Sequence, residues 1–151
     1  MQNNMETPRA LKRFVNAQEQ AYDQAFREVS SGRKSSHWMW YIFPQIEGLG
    51  YSDMSKRYAI RDLGEARLFL DHPLLGPRLI RISEQLLAVE GRSAHAVFGS
   101  PDDMKLRSSM TLFSLVENAP PVFQQVLDKY FNGESDSRTV ELTGNEHSPG
   151  N

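Results

Sequence analysis

The chain has 151 residues, 39% of them hydrophobic and 24% charged, ordinary globular proportions that exclude disorder over the whole length and suffice for one core. Its net charge is −2, with seventeen Lys and Arg interspersed among nineteen acids, so it carries no electrostatic footprint for duplex nucleic acid. The absence of cysteine removes disulfides, thiolate catalysis and cysteine-ligated metal. No apolar run approaches the ~20 residues of a membrane span, and the N-terminus has neither a basic nor an apolar segment of secretory type. A cytoplasmic location away from membranes is expected.

Residues 1–8 are polar and end at Pro8; they are expected to be disordered. Residues 9–132 are expected to form a single helical domain. Asn16 followed by Glu19 has capping-box spacing, and Ala21, Tyr22, Ala25, Phe26 and Val29 then recur at helical intervals until Gly32. The pattern predicts a helix from Ala17 to Ser30. Ser35 or Ser36 could cap a short helix over His37–Ile42, ended by Pro44. Asp62 and Glu65 repeat the capping-box spacing before Ala66, Phe69 and Leu70. Pro73 then stands at the entry of a helix carrying Leu75, Leu79, Ile82, Leu86 and Val89 on one face.

Residues 93–98 are expected to make one or two turns. Ser100-Pro101-Asp102-Asp103 combines a cap, a proline and two acids at the positive end of a helix dipole, and the helix that follows should bury Leu106, Met110, Phe113 and Val116. Pro120 and Pro121 open the last predicted helix, which is closed by Asn132-Gly133. The tail 133–151 offers only Val140 and Leu142 for burial and is expected to be disordered. No segment alternates with period two, so the fold class is all-α, an irregular array of six or seven mostly short helices.

Chemistry concentrates in G-R-K-S-S-H-W-M-W-Y-I-F-P-Q-I-E-G-L-G, residues 32–50. Four large aromatics beside a polar string suggest a pocket wall, although a serine cap followed by core aromatics accounts for the same residues. Two further clusters could supply anion-binding groups. One is Gly48-Leu49-Gly50-Tyr51-Ser52 with Ser55, Lys56, Arg57 and Tyr58, where glycines let backbone amides approach a phosphate. It lacks both the third glycine of a dinucleotide fingerprint and the G-K-[ST] of a P-loop. The other is the helix after Gly99, on which Lys105, Ser108, Ser109 and Leu112 share a face. Equally, Lys105 could pair locally with Asp102, and the small serines could serve helix packing.

The four histidines, His37, His72, His95 and His147, have no metal-ligand spacing, and no motif demands a metal or a cofactor. His72 is read as a cap or packing residue. Adjacent Ser36 and His37 do not make a dyad, because neighbours on a helix do not face one another. The candidate ligand contacts are Lys34, Ser36, Trp38, Trp40, Gln45, Lys105, Ser108 and Ser109, with His37 and Asp102 as candidate acid or base. Trp38 or Trp40 would stack on a base or sugar, and the lysines and serines would hold phosphate or ribose hydroxyls. The expected function is binding of a nucleotide-like, ADP-ribose-type or sugar-phosphate small molecule, with hydrolysis of its glycosidic bond as the reaction that His37 or Asp102 would serve. The competing reading is a non-enzymatic module whose aromatic string is core and whose final helix or tail docks a protein; no sequence feature names that partner.

Four strings, residues 32–50 above, Y-A-I at 58–60, H-P-L-L-G at 72–76 and F-G-S-P-D-D-M-K-L-R-S-S-M-T-L-F at 98–113, resemble the "domain of unknown function 1810" family across roughly Leu11–Tyr130. The resemblance implies a mainly helical, irregular fold and no established activity. The calpastatin-like label sometimes attached to that family does not suit this chain, since a calpain inhibitor would be a disordered repeat protein. A fainter likeness is to the NADAR family of helical proteins. Its hints are the aromatic-rich helix after Ser-His-aromatic, the helix after His72 and the turn and helix from Gly99 to Phe113. That likeness implies ADP-ribose or related N-glycosidic chemistry, with no catalytic residue carried over.

Overall fold

The computed structural model describes residues 8–147, so the disorder expected for residues 1–7 and 148–151 lies outside the described residues. Within them run α1 (Arg9–Ser31), α2 (Met39–Ile42), α3 (Asp53–Arg57), α4 (Leu63–Asp71), α5 (Leu75–Ala88), α6 (Ala94–Phe98), α7 (Asp102–Ser114), α8 (Val122–Phe131) and α9 (Ser137–His147). The all-α class stands, but the described residues hold nine helices rather than six or seven; α3 and α9 are the additional ones.

The first helix starts at Arg9, directly after Pro8, and not at Ala17. Asn16 is an exposed mid-helix residue. Burial decides the start: Leu11, Phe14, Gln18, Tyr22, Ala25 and Val29 descend one face at three- and four-residue steps, and that stripe outweighs a local capping pair. At its other end, Gly32 N donates to Val29 O at 2.9 Å and Arg33 N to Glu28 O at 3.0 Å, absorbing carbonyls that the helix leaves open.

Several predicted boundaries hold for the predicted reason. Glu65 N donates to Asp62 Oδ1 at 2.9 Å while Arg61 N, one residue before the cap, donates to Glu65 Oε1 at 2.7 Å, a reciprocal pair close to a capping box that opens α4. His72 Nδ1 accepts from Leu74 N and Leu75 N, which makes it a cap at the entry of α5. The turns expected over residues 93–98 form as α6, opened by a cap the sequence reading did not name, Ser93 Oγ accepting from Ala96 N. By contrast, α7 has no side-chain cap, so Ser100 does not play that part.

Two aromatic cores hold the helices together. Phe14 meets Phe69 (ring centroids 5.2 Å), Phe69 meets Phe113 (5.4 Å) and Phe113 meets Phe123 (5.8 Å), linking α1, α4, α7 and α8 through fully buried rings. Trp38, Phe43 and Phe98 form the second, with centroids 5.9–6.3 Å apart. Around them α5 packs on α1, α4 and α8, while α7 packs on α4, α6, α8 and α9. Between α2 and α4 the chain makes a long loop containing α3. Its ends are stapled where Glu47 N donates to Ile60 O and Ile60 N to Gln45 O, both at 2.8 Å, around the isolated parallel bridge Ile46–Ile60.

The tail departs most from expectation, since much of 133–147 is folded. Asp136 Oδ2 accepts from Thr139 N at 2.9 Å and Thr139 Oγ1 at 2.6 Å, Asp136 N donates to Thr111 Oγ1, and Arg107 donates to Glu134 O and Ser135 O. Helix α9 buries Thr139 and Thr143. The Thr143 hydroxyl donates to Thr139 O, so a threonine can enter the interior with its polar atom satisfied by its own helix. Apolar composition therefore understated what this segment could bury.

Candidate functional site

The sequence string 34–38 is organised by a residue that sequence reasoning missed. Glu28, on the last turns of α1, is only 5% exposed. Its Oε1 accepts from Ser35 N (2.7 Å), Ser36 N (3.0 Å) and Trp38 Nε1 (2.8 Å); its Oε2 accepts from Gln24 Nε2 (2.7 Å) and Ser36 Oγ (2.5 Å). Burial pushes its carboxyl up, but the hydrogen bonds from Ser36, Gln24, Ser35 and Trp38 outweigh this and hold it far below the usual carboxylate range. Ser35 and Ser36 thus bind Glu28 rather than cap α2. Trp38, 1% exposed, is a core residue whose indole N–H has its partner, not a ligand platform.

A cavity of about 630 Å³ opens on the other side of α2. Trp40 and Gln45 contribute from the α2 side, Gly48–Tyr51, Ser55, Lys56 and Tyr58 from the long loop, and Pro101, Met104, Lys105 and Ser108 from the start of α7. Residues of the two candidate clusters noted in the sequence, some fifty residues apart, therefore line one cavity. Gly48 has φ +105, a conformation that L side chains rarely adopt. Tyr51, which lines the cavity, is largely exposed.

Of the predicted site residues, Trp40, Gln45, Lys105 and Ser108 lie on the cavity wall; Lys34, Ser36, His37, Trp38, Asp102 and Ser109 do not. His37 is exposed. Ser109 is fully buried, and its hydroxyl has no hydrogen-bond partner. It sits about 100° round the helix from Ser108, so Lys105 and Ser108 share the cavity face while Ser109 and Leu112 turn to the core. Asp136 joins the wall from just before α9. Its signal in the sequence was slight: an aspartate three residues ahead of a threonine in a tail poor in apolar residues.

Behind the wall, Asp102 links two ammonium groups. Lys34 Nζ lies 2.8 Å from Asp102 Oδ2 and Lys105 Nζ 3.1 Å from Oδ1, while Lys34 Nζ also donates to Ser36 O. Burial pushes the Asp102 carboxyl up, but hydrogen bonds and charge from Lys34 and Lys105 prevail and keep it below the ordinary carboxylate range. A carboxylate held ionised with each oxygen on an ammonium suits positioning Lys105 better than proton transfer. Lys105 Nζ also stands 3.7 Å from the centroid of the Trp40 ring, a cation–π contact. This face of Trp40 is occupied by the lysine, so base stacking there would require Lys105 to move.

Residues 8–143 match a family model described as "Protein of unknown function (DUF1810)". The chain belongs to the DUF1810 family. It is similar, at 48% identity and a TM-score of 0.87, to a solved structure titled conserved hypothetical protein Rv1873 from Mycobacterium tuberculosis, over 89% of this chain and 96% of that one. No curated protein matches. The DUF1810 match extends beyond Tyr130 and takes in Asp136, which lines the cavity, and most of α9. No helix among the described residues is long and apolar enough to cross a membrane.

Proposed function

We propose that this DUF1810 protein binds a small molecule bearing an acidic group and a planar or sugar moiety, of nucleotide or sugar-phosphate type, in the cavity between the long loop and α7. The observation that carries the reading is Lys105. Its ammonium, fixed by Asp102 and the Trp40 ring, stands on a wall otherwise rich in apolar surface from Ile46, Leu49, Pro101 and Met104. Lys34 and Lys105 share one carboxylate, leaving one positive charge in excess in that cluster. A phosphate or carboxylate is the complementary group. The volume falls within the ~300–1,000 Å³ of small-molecule sites, and the main chain at Gly48 and Gly50 comes to the wall, where amides can meet an anion.

Turnover is not part of the proposal, because His37 lies off the wall and Asp102 is committed to its lysines. The alternative of an interaction module finds support in the burial of Trp38 and Phe43. Its docking element is less favoured, since α9 packs on its own domain.

The test is thermal unfolding of the purified chain against nucleoside monophosphates, ADP-ribose, sugar phosphates and inorganic phosphate. A ligand at 100 times its Kd adds about 2.7 kcal/mol, or roughly 5–10 °C for a domain of this size. A shift that one chemical class produces and Lys105→Ala abolishes is the expected result. No shift across the panel, or a shift indifferent to Lys105→Ala, would overturn the reading.

A further inference from the structure

Asp136 is a fixed carboxylate on the wall of a cavity that also presents two lysines. Its Oδ2 is fully engaged by Thr139, and its main-chain N–H is tied to Thr111 Oγ1 at 2.9 Å. These bonds set its position without any ligand. Neither Lys105 nor Lys56 forms an ion pair with it; the partner of Lys105 is Asp102. No hydrogen bond to Asp136 Oδ1 is formed by the described residues, and this oxygen is not sealed in the interior. Cation and anion thus stand apart on one wall, each held from behind by the protein.

Resting on the binding reading above, we infer that Asp136 is the specificity-determining residue at the second end of the ligand, where its Oδ1 accepts hydrogen bonds from sugar hydroxyls while Lys105 takes the acidic group. A carboxylate oxygen accepts and cannot donate at neutral pH, so the group facing it must be a hydroxyl or an amine. It repels a second anion, which selects against ligands acidic at both ends. The chemistry that meets both requirements is a sugar monophosphate with its diol free, as in a ribonucleoside 5′-monophosphate. Because the cap fixes the carboxylate before binding, the ligand does not have to order it.

The experiment compares the four ribonucleoside 5′-monophosphates with their 2′,3′-dideoxy counterparts by isothermal titration, on the full chain and on Asp136→Asn. Asparagine retains an oxygen for Thr139 N and puts an amide donor where the free carboxylate oxygen stood. Equal melting temperatures of the two proteins confirm that α9 stays capped, and Asp136→Ser serves as a second capping variant. Hydrogen bonds to a charged group predict at least a tenfold preference of the wild type for the ribo form. In Asp136→Asn that preference falls to threefold or less, while dependence on Lys105 persists. Lys105-dependent binding of ribo and dideoxy forms alike by the wild type, or an unchanged preference in Asp136→Asn, overturns the role of Asp136 and leaves the binding reading standing. Absence of binding by every nucleotide overturns the role of Asp136 toward a nucleotide diol, whereas the binding reading falls only if the sugar phosphates and inorganic phosphate of the thermal panel fail as well.

Discussion

Replacing Glu28 by glutamine removes a charge and almost no volume, which isolates what the buried carboxylate does for the loop that follows α1. The amide oxygen can keep the three donors now on Oε1, namely Ser35 N, Ser36 N and Trp38 Nε1. These become neutral bonds, weaker than charge-assisted ones by about 1 kcal/mol each. The new NH₂ faces Ser36 Oγ, which can rotate to accept, and Gln24 Nε2, which cannot accept unless its amide turns over and releases Arg27 from Gln24 Oε1. The sum is a loss of about 2–4 kcal/mol, or roughly 5–15 °C in Tm. Urea unfolding followed by tryptophan fluorescence and far-ultraviolet circular dichroism measures it. The sign of the pH dependence is fixed by the folded carboxyl being held below its unfolded value. Its stabilisation is complete above the unfolded pKa of about 4.3 and is lost as pH falls toward the folded value. The gap between wild type and Glu28→Gln therefore narrows steadily below about pH 5. A gap under 1 kcal/mol at pH 7, or one that does not narrow in acid, would refute the account of Glu28 as the organiser of residues 34–38.

Gly76→Ala should be severely destabilising, because a Cβ there would lie 2.0 Å from Leu70 O, a main-chain atom. Gly91→Ala, with nothing within 4 Å and φ +74, should cost only the roughly 1–2 kcal/mol of a left-handed residue, and parallel thermal melts of the two test the contrast. Phe113→Ala removes a fully buried ring between Phe69 and Phe123 and should cost about 3–5 kcal/mol in a urea titration. Deleting residues 136–151 should both lower Tm and abolish nucleotide binding, since it removes Asp136 from the wall and takes away Leu142, the side chain nearest a Cβ built at Gly48. Full retention of binding by the truncated chain would show that α9 is not part of the site.

What the sequence made legible and what it hid divide by the range of the interactions concerned. The starts of α4 and α6 and the ends of α1 and α8 could be read because their hydrogen bonds join residues within about a turn of one another, as at Asp62–Glu65 and Ser93–Ala96. The apolar faces of α5, α7 and α8 were equally plain, since periodicity survives whatever lies opposite. The serines at 35 and 36 misled because their partner, Glu28, lies seven and eight residues back across a helix end. No local pattern marks a glutamate as the acceptor for an indole ten residues on. For the cavity, the sequence offered two clusters and a tryptophan without the distances between them. Only the packing of the long loop against α7 put Lys56 and Tyr51 on the same wall as Lys105. The tail was misjudged for another reason: its anchors are threonine, aspartate and arginine hydrogen bonds, and composition counts those side chains as solvent-seeking. Asp136, which lines the cavity, belongs to this misread tail. A polar segment can therefore fold and line a cavity wherever its hydrogen bonds are closed by partners that only tertiary structure supplies.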